Sequence, residues 1–277
     1  MKIILIKVYE IIKLAIYSIL KISLNQNEID GELNYLTFLK FKFGYIIDLP
    51  YGVGRTNRGL NFDNHEYVFT GLVRDLGNKK NKNEIKKKLF TEFIKYKDLK
   101  VFDINEYMNN SILKSSPIWN IVAPWEKTDK SNLDLDYLYK FYKNRKEHKL
   151  NFESENPNEI VKKMYSNESA ISQLNQYENL YKKIKKEGYK DDYKNLPTAV
   201  ILVDKKKWVW IIQSGNHRAY IKKGMGDYFI KCKILDIVKL EKIRKCYNVK
   251  NNIFSKKEAV LFFKRVFEGK KIVRGVV

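Results

Sequence analysis

"IIQSGNHRAYIKKGMGDYFIKCKI", residues 211–234, is the stretch that decides how this chain folds. An apolar strand runs into Ser214-Gly215-Asn216-His217-Arg218, and a short helix and another strand follow. A glycine at a strand-to-helix junction lets backbone approach a ligand closely, and the first free N–H groups of the helix then face it. Arg218 can grip phosphate oxygens in a bidentate fork. His217 can donate to a phosphate or act as acid or base near neutral pH. Asn216 can orient a group or cap the helix. With Ser214, these residues read as an anion cradle, and phosphate is the anion that fits best. The plainer alternative is a Gly-Asn turn with His217 in the core and Arg218 on the surface. Four residues alone do not choose between the two, so the flanks must.

Immediately upstream, "TAVILVD" (198–204) and "KWVWIIQ" (207–213) read as strands joined by a tight turn, and "YFIKCKIL" (228–235) as a third. Before them, Leu174, Tyr177, Leu180, Tyr181 and Ile184 form one stripe of a helix that Gly188 stops. The wider span 131–190 is mainly helical. Downstream, residues 237–247 and 255–268 read as helices, the latter opened by Ser255 with Glu258 three residues on. Toward the N-terminus, residues 31–75 read as β-rich, because "ELNYLTFLKFKFGYIIDLP" (32–50) alternates bulky and polar positions up to Pro50. A helix follows over "IKKKLFTEFIKYK" (85–97), another over "DINEYMNNSILK" (103–114) with Asp103 at its start, and "PIWNIVAPWE" (117–126) reads as a short strand closed by Pro124.

This ordered set resembles the ParB/sulfiredoxin-like superfamily. Its members share a helix ending at glycine, two strands, a Gly-x-His/Arg-Arg box, a short helix and a closing strand. Here "LYKKIKKEGY" (180–189), "PTAVILVD", "WVWIIQ", "SGNHRAYIKKGMG" (214–226) and "YFIKCKIL" match in that order, and "IVAPWEKTD" (121–129) resembles the opening strand and loop. The likeness covers roughly 118–236. It implies that Gly215, Asn216, His217 and Arg218 bind phosphate. Sulfiredoxins carry a reactive cysteine within the box. Asn216 stands there in this chain, so that activity is not implied, and Cys232 in mid-strand reads as packing. The partition proteins of the superfamily bind CTP and read DNA through a helix-turn-helix, for which residues after 236 offer no recognition helix. Its free serine kinases use a carboxylate base, and Glu126 or Asp129 falls at a comparable place. For Glu126 a helix-start carboxylate is the competing explanation. The chain departs from these members by a helical insertion, 131–172. Asn144 and Arg145 within it resemble a pair in uncharacterised bacterial proteins that also carry Pro-Trp-Glu and Gly-Asn-His-Arg and accompany surface-polysaccharide enzymes. Arg145 is thus either a second phosphate contact or part of a solvated basic face.

A second glycine-bearing stretch, "PYGVGRTNRGLNFDNHEY" (50–67), offers Arg55 and Arg58 as an anion-binding nest, or is simply a turn between strands. It is not a Walker loop, since no Gly-Lys-Ser/Thr follows. The net charge of +22, from 54 Lys and Arg against 32 Asp and Glu, suits nucleic acid, nucleotides or an anionic membrane. The lysines are spread over every segment, however, so composition accounts for much of the excess. Two cysteines and three histidines give no metal-ligand spacing, and the expectation is no structural metal in a reducing compartment. Residues 1–24 read as an amphipathic helix. Lys7, Glu10, Lys13 and Lys21 share one arc opposite a wide apolar face, which argues against both a spanning helix and a signal peptide.

The expected architecture is α+β, a small mixed sheet ringed by helices. Residues 1–117 form the amphipathic helix and β-rich extension, 118–240 the ParB/sulfiredoxin-like domain with its insertion, and 241–277 C-terminal helices. The leading function is binding of a nucleotide or phosphorylated small molecule at 214–218, extending to phosphoryl transfer or hydrolysis with Mg²⁺ held by the phosphates and one carboxylate. His217 and Arg218 would then stabilise phosphate, with Glu126 or Asp129 as base. The alternatives are a ParB-like DNA-binding or nuclease-type protein and a non-catalytic adaptor. The last would be held at a membrane surface or partner protein through residues 1–24. The expected location is cytoplasmic, either free, with residues 1–24 packed on the body or a partner, or peripheral at the inner membrane surface.

Overall fold

The computed structural model describes residues 29–44, 46–57, 59–62, 68–97, 122–127, 163, 166–189 and 196–270. The elements in chain order are helix α1 (Tyr35–Gly44), strand β1 (Ile46–Pro50), a 3-10 turn (Tyr51–Val53), strand β2 (Gly54–Arg55) and helices α2 (Val68–Gly77), α3 (Lys82–Lys97) and α4 (Asn167–Glu187). There follow strands β3 (Thr198–Asp204) and β4 (Lys207–Ser214), helix α5 (Asn216–Gly224), strand β5 (Phe229–Lys239), a 3-10 helix (Leu240–Lys245) and helices α6 (Tyr247–Lys250) and α7 (Lys256–Glu268). The protein is α+β.

One five-stranded mixed sheet holds the molecule together, in the order β1-β5-β3-β4-β2. β3 and β4 form an antiparallel hairpin closed at Asp204 and Lys207, with Lys205 in the left-handed region at φ 53°. β5 is longer than its neighbours and is shared between two of them. Its first half pairs antiparallel with β1, Ile46 opposite Lys233, and its second half parallel with β3, Ile201 opposite Ile237. β2 lies parallel to β4 at the other edge, Arg55 opposite Ile211. The strands at both edges therefore come from the first quarter of the chain, so segment 1–117 and segment 118–240 build a single sheet.

Alternation along β3 and β4 sorts side chains onto two cores. Ala199, Ile201, Val203, Trp208, Trp210 and Ile212 face α2, α4 and α5. Val200, Leu202, Val209 and Ile211 face α7, where Phe262, Phe263 and Val266 meet Trp125. Trp125 stands edge-on to Phe262 and Phe263, with centroids 5.7 and 6.1 Å away. α7 opens with a complete capping box, Ser255 Oγ accepting from Glu258 N–H while the Glu258 carboxylate accepts from Ser255 N–H at 2.6 Å. α4 ends at Gly188, whose φ of 75° and ψ of 170° make a backbone conformation open to glycine.

Four stretches differ from their sequence reading. Residues 35–44 and 68–77 are helical rather than β. In "FLKFKF" an alternating pattern and a one-turn spacing coincide, and the second one wins. Phe41 is buried edge-on against Trp208 at 4.7 Å, and Phe38, one turn back, lies under the Lys239 ammonium. Residues 237–247 are not one helix. The ladder with β3 carries the strand on to Lys239, and only then does a 3-10 helix bury Ile243. Residues 122–127 form a turn around Pro124 and Trp125, pinned where Asn248 N–H donates to Pro124 O and Asn248 Nδ2 to Ala123 O. The amphipathic helix of 1–24, the helix over 103–114 and most of the 131–172 insertion lie outside the described residues. Among the described residues no helix is long and apolar enough to cross a membrane.

Arg55 locks the edge strand to the end of α7. Its Nε donates to Val266 O at 3.0 Å, Nη2 to Phe267 O at 2.6 Å and Nη1 to Gly54 O at 3.0 Å. Replacing Arg55 with Met takes a charged donor from Phe267 O, Val266 O and Gly54 O, and Val266 O keeps only the Gly269 N–H at 3.1 Å. The expected cost is about 2–4 kcal/mol of unfolding free energy in urea with an unchanged m-value, and a loss below about 0.5 kcal/mol would show that the contacts carry no weight.

Candidate functional site

The junction quoted at the outset is built as follows. β4 ends at Ser214, and Gly215 takes φ 76° and ψ 23°, a left-handed conformation, before α5 begins. Glycine is required twice over. An L side chain rarely adopts that φ, and a Cβ would lie 2.9 Å from the Cα of Pro197. Gly215 offers no side-chain cap, and the first intrahelical bond runs from Ala219 N–H to Gly215 O at 3.1 Å. The N–H groups of Asn216, His217 and Arg218 thus precede the helical ladder, with the positive end of the helix dipole behind them.

The side chains of this first turn are half-buried. His217 packs edge-on against the Tyr177 ring with centroids 4.8 Å apart, and its Nε2 is 3.3 Å from Gln173 Oε1. The amide oxygen only accepts, so this contact places the ring proton on Nε2. Arg218 makes no hydrogen bond or ion pair with another described residue. Asn216 Oδ1 is buried and has no hydrogen-bond partner among the described residues. Beside them Ser214 Oγ and Thr198 Oγ1 share a hydrogen bond of 2.8 Å, and Thr198 is also level with Lys233 on β5. Gln173 and Thr198 had no signal in the sequence, since each gains its place only through tertiary contact. Tyr177 had been visible only as one member of an apolar stripe.

Glu126 stands elsewhere. Its Oε2 accepts from Ala123 N–H at 2.8 Å, its own N–H donates to Ala123 O, and burial holds its carboxyl above the usual range. It belongs with the α7 side of the sheet, whereas His217 packs on α4 over the other face. The structure therefore separates two groups that the sequence reading placed in one site. Arg55, offered as an anion ligand, spends its donors on three backbone carbonyls, and desolvation lowers its pKa to about 10. Cys232 is fully buried in β5, as a packing residue is, and burial pushes its thiol up. Arg58, Asp129 and Arg145 lie outside the described residues. Among the described residues no group of three or more His, Cys, Asp and Glu side chains could hold a metal ion. No family model matches the chain, and no curated protein or solved structure matches it.

The environment of Glu126 makes stability depend on pH. The folded state binds its proton more tightly than the unfolded chain does. That contribution is complete below the ordinary glutamate range and is lost as pH rises through the raised folded-state value. Glu126→Gln keeps an acceptor for Ala123 N–H and has no proton to lose. Urea melts should show the variant gaining on the wild type as pH goes from about 4 to about 8; a gap that stays constant, or closes, would contradict the assignment.

Proposed function

We propose that the first turn of α5 binds the phosphate of a nucleotide or another phosphorylated small molecule. One observation carries the reading. The helix opens on a left-handed glycine with no capping side chain, and a half-buried guanidinium with no partner among the described residues stands in that turn. The N–H groups of Asn216 and Arg218 and the Arg218 guanidinium would hold two or three phosphate oxygens between them. His217, with its proton on Nε2 toward Gln173, keeps the ring upright beside them. The succession α4, β3, β4, box, α5, β5 supports a ParB/sulfiredoxin-like arrangement of this part of the chain, with the box where that superfamily places its phosphate contacts.

The reading is one of binding. Glu126, the carboxylate expected to serve as base or to meet Mg²⁺, stands over the opposite face of the sheet, so no transfer step is assigned to it. Mg²⁺ would arrive with the phosphates of the ligand, supplying charge neutralisation.

The test is a thermal-shift panel of nucleotides and sugar phosphates with Mg²⁺, run on the wild type and on Arg218→Ala. A ligand at 100 times its Kd adds about 2.7 kcal/mol, a rise of several degrees. The variant should melt close to the unliganded wild type and lose that rise. Should a ligand stabilise both proteins equally, the phosphate sits elsewhere.

A further inference from the structure

Basic residues gather at the end of the sheet opposite the box. β3 turns into β4 through Lys205, Lys206 and Lys207, all exposed, whereas the box follows Ser214 at the far end of β4. β5 runs parallel to β3 until Lys239 stands opposite Val203, so the 3-10 helix that follows starts beside this turn. Buried Ile243 fastens that helix to the body, and Lys242, Arg244 and Lys245 are exposed on it.

Two observations set these six cations apart. Other lysines are answered by carboxylates, Lys80 and Lys88 by Asp75, Lys82 and Lys182 by Glu178. None of the six pairs with a carboxylate among the described residues, although Glu32, Asp204 and Glu241 lie at this end. The second observation is backbone strain. Lys205 takes φ 53°, a left-handed conformation that hairpin turns ordinarily fill with asparagine or glycine. A cation kept at a strained position points to a use for its charge.

The neighbours select among polyanions. A hairpin that enters a duplex groove must stand clear of its sheet, and here β5 accompanies β3 as far as Val203. A single strand calls for several ring faces on which bases stack. Of the exposed aromatics among the described residues, Tyr35 stands at this end, and Tyr228 and Phe229 lie at the start of β5. Tyr35 is 74% exposed and opens α1 two residues after Leu33, whose N–H donates to Lys206 O at 2.6 Å. A lone exposed tyrosine among cations suits a headgroup layer, the ring at its apolar boundary and the ammonium groups on its phosphates. We propose that this end of the sheet, formed by Lys205–Lys207, the basic face of the 3-10 helix and Tyr35, docks on the anionic headgroups of a lipid bilayer. The surface is distinct from residues 1–24 and does not depend on what the box binds.

The experiment is flotation of the full chain with vesicles of phosphatidylcholine alone or mixed with phosphatidylglycerol. The chain should float with the mixed vesicles and not with phosphatidylcholine. Each cation near an anionic leaflet strengthens attachment severalfold, so Lys205→Asn, Lys206→Gln and Lys207→Gln combined should need at least about thirtyfold more lipid. The combination Lys242→Gln, Arg244→Gln and Lys245→Gln should do the same. The first variant should melt no lower than the wild type, since asparagine suits the turn. Removing three exposed cations of α3 and α4, by Lys87→Gln, Lys183→Gln and Lys186→Gln, should change the requirement less than about threefold. Tyr35→Ala should weaken flotation severalfold at unchanged charge. Either sheet-end variant floating as the wild type does, an equal loss from the α3 and α4 variant, an unmoved Tyr35→Ala, or duplex DNA that strips the chain from vesicles at matched phosphate would each overturn the proposal.

Discussion

A guanidinium with no carboxylate partner among the described residues ties an edge strand of the sheet to the end of α7. Arg55 sits on an edge strand of two residues, buried, with its donors on the last carbonyls of α7 across 211 residues of chain. Taking that charge from water is costly, and its depressed pKa expresses the cost. What offsets it is the negative end of a helix dipole and three charge-assisted bonds to backbone carbonyls. The close fit extends along the strand. Gly54 leaves no room for a side chain, since a Cβ there would stand 2.6 Å from the Trp210 ring, and Trp210 Nε1 donates to Pro50 O at 2.7 Å. β2 is thus placed by contacts with side chains as much as by its short ladder with β4. Once β2 is in place the turn after it is too, and so is Asn57.

The sheet then acts as a partition. Alternate residues of β4 feed one core or the other, Trp210 and Ile212 toward the helices α2, α4 and α5, Val209 and Ile211 toward α7. The box at the start of α5 and the turn carrying Glu126 lie over opposite faces, and they differ in electrostatic character as well as in position. One is an open helix end with a mobile-length side chain beside it. The other is an enclosed turn whose Glu126 carboxyl accepts from Ala123 N–H. Asn57 stands between them, bound to Tyr220 of α5 while lining a cavity on the α7 side.

Much of the box was legible from residue order because its signals are local. A left-handed glycine, a strand run of Trp, Val and Ile before it, and a helix stripe upstream each announce themselves within a few residues. The same holds for the capping box at Ser255 and for the stop at Gly188. Illegible were the features that depend on distant partners. "FLKFKF" fits either period until Trp208 offers Phe41 a place to pack. The strand β5 continues through Lys239 only because β3 lies alongside. Arg55 reads as a free cation beside glycines until the end of α7 arrives to occupy it, and Glu126 reads as a companion of His217 until the sheet comes between them.

β5 has one further consequence, for the order in which the protein comes into being. Its halves serve different neighbours, and β1, one of them, is among the first described residues of the chain. On the ribosome β1 and β2 emerge long before any strand they pair with, and α7, which closes over the sheet and receives Arg55, follows later still. Closing loops of that length sets a slow clock. A nascent chain must keep two unpaired strand edges from its fellows until β4 and β5 have emerged, a task for bound chaperones or for the like charges of its abundant lysines.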